Sequence, residues 1–214
     1  MAPVRHRSVV AAVLTAAALL TGCGGGALPL SLADLTETAD GVPEDGAGTC
    51  PLPYDMAKAA GTAGLDGKIG PGSAQKDYET PVATAEGGKR AKAGDPLAEN
   101  PGVLVSCTFH IGQEDVQVHT IATSKPHAIL YLAPVISPLT GASVNNSINY
   151  VTKAAEAKAG EMTVADSGNV AAVRLKLDGE GDAALLAGVG EAGAASPSRK
   201  QVADLAKALA DQVQ

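Results

Sequence analysis

The stretch Val103-Leu104-Val105-Ser106-Cys107-Thr108-Phe109-His110-Ile111, answered by Val116-Gln117-Val118-His119-Thr120-Ile121-Ala122-Thr123, decides the fold class. In the first run Val103, Val105, Cys107, Phe109 and Ile111 fall on one side, and Ser106, Thr108 and His110 on the other. Val116, Val118, Thr120 and Ala122 repeat the inward set, with Gln117 and His119 outward. A period of two marks a strand with one face on a core. Gly112 to Asp115 supplies a turn, so the two runs read as a β-hairpin.

Working outward, Val170–Leu177 and Ala183–Val189 form a second hairpin around Asp178–Asp182. Three segments read as helices. Tyr54–Ala60 has Asp55 in its first turn and Gly61 near its end. Asn146–Ala159 carries an apolar stripe of Ile148, Val151, Ala155 and Ala159, with Gly160 suited to the C-terminal cap. Pro197–Gln212 is capped by Ser196 and buries Val202, Leu205, Ala206, Leu209 and Val213. Within the ambiguous residues 124–140, Pro126–Ala133 fits helix or strand, ended by Pro134 and Pro138. Residues 61–102 read as a long, mostly irregular excursion with a charged tip at Lys89, Arg90 and Lys92. The order predicts an α+β fold: an antiparallel sheet of two hairpins with helices packed on one face, joined by one disulfide.

The N-terminus carries an address. Arg5, His6 and Arg7 precede an apolar run from Val9 to Leu20, too short for a bilayer span of roughly 20 residues and suited to a signal segment. Leu20-Thr21-Gly22-Cys23 is a lipobox. It makes residues 1–22 a lipoprotein signal peptide and Cys23 the lipid-attachment residue, anchored to the cell membrane on its extracytoplasmic face by a diacylglyceryl group. Residues 23–49 read as a flexible tether, with Leu28, Leu30, Leu32 and Leu35 available for a short apolar contact, and residues 50–214 as a single domain.

Composition narrows the rest. Loss of residues 1–22 removes Arg5 and Arg7 and takes the net charge from −7 to −9. That balance argues against nucleic acid as a partner. With no Trp and one Phe, the core must be built from small and aliphatic side chains. The Ala, Gly and Val richness suggests a GC-rich, actinobacterial genome. Lipid on Cys23 leaves Cys50 and Cys107, whose natural pairing in an oxidising compartment is one bridge. Two free thiols, or a metal site shared with His, are the alternatives.

Candidate chemistry is sparse. His110 and His119 both point outward from the first hairpin. With the turn centred on Glu114 and Asp115 they face each other about 5 Å apart, a pair able to share a transition metal with His127 as a third ligand. Solvated strand histidines are the simpler reading, and no cofactor is expected. Asp178, Glu180 and Asp182 open like a calcium loop, but Ala183 and Val189 stand where Gly and the bidentate Glu belong. Ser73-Ala-Gln-Lys76 matches the S-x-x-K nucleophile motif, with no K-T-G after it.

The lipobox at Cys23, Cys50 at the first helix, Cys107 in the first long strand with Phe109 just after it, and the Ala/Leu-rich helix Pro197–Gln212 together resemble a group of actinobacterial surface lipoproteins. That group is classed as a domain of unknown function, similar to small mycobacterial envelope lipoproteins and to the extracellular sensor domains of some Ser/Thr kinases. The resemblance implies a non-enzymatic envelope domain and no catalytic residue. The expected function is a lipid-anchored binding or sensor lipoprotein that holds a small ligand or an envelope protein. The alternatives are an assembly role, with residues 61–102 as the docking segment, and an envelope hydrolase.

Overall fold

The computed structural model describes residues 29–75 and 80–214. The expected signal segment 1–22 and the expected lipid-attachment residue Cys23 lie outside the described residues. The fold starts earlier than the sequence suggests. Leu30–Ser31 forms strand β1, and Ser31 caps helix α1 (Leu32–Asp40) by accepting a hydrogen bond from the Asp34 N–H. Leu35 and Ala39 on its inner side are fully buried. The Arg90 guanidinium donates to the carbonyls of Ala39 (2.6 Å) and Val42, satisfying acceptors at the helix end. Lys89 adds its backbone N–H and its ammonium to Asp40, which holds that carboxyl below the usual range. The expected tether at 23–49 is corrected accordingly: from Leu30 onward it is part of the domain, because α1 has an apolar stripe to bury.

The excursion at 61–102 is likewise mostly ordered. Helix α2 (Met56–Ala63) is capped by the Asp55 side chain and closes on left-handed Gly64, three residues past the expected end. Strands β2 (Ile69–Pro71) and β3 (Ala83–Gly87) follow, then a 3-10 turn (Gly88–Arg90) and the short helix α3 (Pro96–Glu99). Both strands pair antiparallel with β4 (Gly102–Ile111), one beyond the other along its length. Gly87 has φ +80, and a Cβ there would lie 2.2 Å from the Gly102 carbonyl oxygen. Only glycine lets β3 end so close to β4.

β4 and β5 (Glu114–Thr123) form the expected hairpin, but with a tighter turn. Ile111 faces Glu114, which leaves Gly112 and Gln113 as a two-residue loop with Gly112 at φ +62. A 3-10 segment (Ala128–Leu132) and helices α4 (Ala133–Thr140) and α5 (Val144–Glu156) come next. Then follow β6 (Met162–Val164), β7 (Val170–Leu175), β8 (Leu177–Asp178), β9 (Asp182–Val189) and α6 (Arg199–Ala210). The main sheet has seven strands in the order β2-β4-β5-β9-β7-β6, with β3 also on β4, and every pairing is antiparallel. β8 instead pairs in parallel with β1.

This is the α+β fold expected, with the Cys50–Cys107 disulfide in place. The helices, however, are divided between both faces. α1, α2 and α6 cover the face bearing Val105, Cys107, Val118, Val173 and Leu185. The 3-10 segment 128–132, α4 and α5 cover Leu104, Ile121, Ala172, Ala184 and Leu186 on the other. β9 is buried at every position and β7 at all but Arg174, the mark of strands with a layer on each side. In β4 the even residues Ser106, Thr108 and His110 are only half-buried, so the second layer covers one end of the sheet.

Local details shift with this packing. On α5, Ile148 is 52% exposed, and the buried side is Ser147, Tyr150, Val151, Ala154 and Ala155. Tyr150 sets the rotation, since its aromatic body fills the second core while its hydroxyl donates to the Thr163 carbonyl. α6 is capped by Ser198 and Gln201 in a capping box, not by Ser196. Ser196 instead donates to Glu114 at 2.6 Å. Gln212 and Gln201 of this C-terminal region bond Asp55 and Gly64, one at each end of α2.

Candidate functional site

The hairpin register moves the two strand histidines apart. His110 faces Asp115, and His119 faces Ser106. They share a sheet face but sit four residues apart along it, about 13 Å at the strand rise. Nδ1 of His110 is instead 3.2 Å from the Gly72 carbonyl. His127 is exposed, in a left-handed turn at φ 72. Among the described residues no three His, Cys, Asp or Glu side chains are placed to hold a metal.

Ser73 donates to Asp115 at 2.6 Å, and the Ala74 N–H donates to the same carboxylate. This hydroxyl staples a loop to the hairpin, and its motif partner Lys76 lies outside the described residues. Asp178 is exposed at the end of β8, whereas Asp182 is 4% exposed and bound to Arg174. The acidic turn therefore splits into a solvated tip and a buried ion pair.

An unforeseen pair is Ser106 and His119, whose Oγ and Nδ1 are 2.8 Å apart. Placing the turn on Gly112 and Gln113 would have put them opposite each other. The arrangement is a poor nucleophile and base. Burial pushes the imidazole down to about 4, far from the near-neutral value a general base needs. Its Nε2 has no protein partner to orient it.

A stability effect follows. The imidazole is neutral in the folded chain down to about pH 4 but takes a proton near pH 6.5 when unfolded. The unfolded state therefore binds more protons between those values. The His119 contribution is complete above pH 6.5 and is lost as pH falls toward 4, about 3 kcal/mol in all. Urea titrations at pH 7 and pH 4.5 should show the drop, and His119→Gln should flatten it. An unchanged pH profile in the variant would contradict this assignment.

The second helical layer and the former excursion enclose a cleft of about 440 Å³. Its floor is the cross-strand pair Leu104 and Ile121, 4% and 0% exposed. Leu97 from α3 and Ala85 from β3 form one wall, and Tyr131 and Pro134 the other. Glu86, Arg90, Lys92 and Asp95 ring the mouth. Asp95 accepts from the Lys92 N–H at 2.7 Å, and Arg90 is held by α1, so this side of the rim is tied to the fold. An apolar floor under a polar rim is the usual anatomy of a small-molecule site. Sequence reading missed the cleft because its walls come from segments 61–102 and 124–140, which carry no clean periodicity.

Comparison of the chain with protein-family models, curated proteins and solved structures found no match. Among the described residues no helix is long and apolar enough to cross a membrane.

Proposed function

We propose that the protein is a lipid-anchored, extracytoplasmic binding lipoprotein without catalytic activity, which holds a small amphipathic molecule in the cleft over Leu104 and Ile121. The cleft itself carries the reading. Its volume of about 440 Å³ suits a small ligand. Its floor is apolar, and its rim offers both signs of charge for a polar head. The lipobox ending at Cys23 supports the location, and the cystine supports an oxidising compartment.

Two experiments test this. Native mass spectrometry of the protein purified from its own host should reveal a retained small molecule. Ala91→Trp, which fills the cleft wall and adds a tryptophan to a chain that has none, should lose it. A bare polypeptide-plus-anchor mass, or an adduct that survives Ala91→Trp, removes the cleft as the site. Separately, Cys23→Ser should leave the membrane fraction, and full retention would remove the anchor.

A further inference from the structure

A second and more enclosed pocket lies between α5, the C-terminal part of α4 and the β6–β7 turn. Its volume is about 260 Å³. That is below the roughly 300 Å³ at which drug-sized sites begin, and equals about nine waters at liquid density. The occupant must be small.

Besides the exposed Ser167, three buried hydroxyls border this pocket, and two are committed. Tyr150 donates to the Thr163 carbonyl at 3.0 Å, and Thr140 to the Ile136 carbonyl at 2.8 Å. The third, Ser147, is 5% exposed, and its Oγ has no hydrogen-bond partner among the described residues. A buried hydroxyl left unpaired is costly and uncommon in native folds. Ser147 lines the pocket, but its Oγ has under 1 Å² of accessible surface, so a ligand engages it only when the side chain turns toward the cavity.

The mouth supplies opposite charges. Lys153 on α5 and Asp166 in the β6–β7 turn both border the pocket and are both exposed. Neither belongs to any ion pair among the described residues. An anion alone would meet Asp166 unfavourably, and a cation alone would meet Lys153 so. A neutral polyol would use neither charge. A molecule bearing a carboxylate and an ammonium uses both.

We propose that this pocket binds a small zwitterion of the amino-acid class. Lys153 pairs with the carboxylate, Asp166 with the ammonium, and the Ser147 hydroxyl, turned into the cavity by a χ1 rotation, hydrogen-bonds the ligand in the interior. Ile136 and Val164 give its side chain an apolar wall. The site is separate from the cleft over Leu104 and does not depend on it or on the anchor.

The test is calorimetric titration of the full chain with L-alanine, D-alanine and L-glutamine, with acetate, ethylamine and glucose as controls. At least one amino acid should bind saturably and more tightly than every control. Lys153→Met and Asp166→Asn, both at exposed positions, should each weaken it about tenfold or more, the scale of one lost ion pair in a partly enclosed site. Ser147→Ala should weaken it several-fold. Absence of saturable binding up to about 10 mM, weaker than almost any specific complex, overturns the proposal. So does equal binding of a control, or unchanged affinity in the two charge variants with an unchanged melting temperature.

Discussion

The protein with Cys50→Ala and Cys107→Ala is expected to melt about 8–16 °C below the parent. The cystine closes a loop with a sequence separation of 57. In the chain-entropy account, opening such a loop costs about 4 kcal/mol, and each kcal/mol shifts a domain of this size by about 2–4 °C. The position makes the full effect realisable. Cys107 is 1% exposed within β4, paired with Ala83 on one side and Val118 on the other. Cys50 lies just ahead of α2, in a segment also tied to the sheet by the 2.5 Å bond between the Tyr54 and Thr120 hydroxyls and, three residues before it, by the Ala47–Ala83 bridge. Alanine at both sites leaves only a small void, so the unfolded chain carries most of the change. Differential scanning calorimetry decides it, and a fall of less than 3 °C would mean that the native contacts alone hold α2.

Arg174→Met should be comparably damaging, by about 3–5 kcal/mol. Asp182 is 4% exposed, and its two oxygens accept from Arg174 Nε and from the Ala128 N–H, both at 2.8 Å. Removing the guanidinium strands a carboxylate beneath the second helical layer. It also frees the Ala157 carbonyl, which Arg174 Nη1 holds at 2.9 Å at the end of α5. The diagnostic comparison is the double variant Arg174→Met with Asp182→Leu. Deleting both charges removes the stranded ion, so most of the loss should be recovered. Failure of the double variant to recover would place the cost in the Ala157 contact. The disulfide and this pair share no partners, so their effects should add.

Where one face of a strand meets a core and the other meets water, the pattern was plain in the residues. Val103–Ile111 and Val116–Thr123 gave the hairpin, and the expected lipid on Cys23 left Cys50 and Cys107 with each other. Where both faces are covered the alternation disappears. Val170-Ala-Ala-Val173 and Ala183–Ala187 are apolar at every position, which identifies a strand without saying that helices lie on both sides of it. Register was harder still. Moving the turn by two residues, from Glu114-Asp115 to Gly112-Gln113, exchanged a histidine pair for the Ser106–His119 contact. Gly112, able to take a positive φ, was the available signal. The Gly- and Pro-rich run of 61–102 concealed β2 and β3 because edge strands need little propensity of their own once β4 supplies the ladder. The small pocket was beyond reach, since Ser147, Lys153 and Asp166 come together only when α5 turns Ile148 outward.

The early start of the fold at β1 has a mechanical consequence. With the proposed lipid on Cys23, β1 begins seven positions past the anchor, a reach of at most about 25 Å, where a fold beginning at Cys50 would have allowed about 90 Å. Leu30 is paired with Leu177, so an anchor at Cys23 would draw the end of the molecule that carries the Asp178–Asp182 turn toward the bilayer. Asp178 and Glu180 there would meet anionic headgroups with repulsion, felt within about 8 Å at physiological salt. Under the proposed anchor, so short a connection set against a short-range repulsion would confine the domain to a thin layer above the lipid and limit how far it could tilt. Encounters would then take place at the membrane surface, and a binding domain so held would gather from what diffuses along it rather than from what lies beyond.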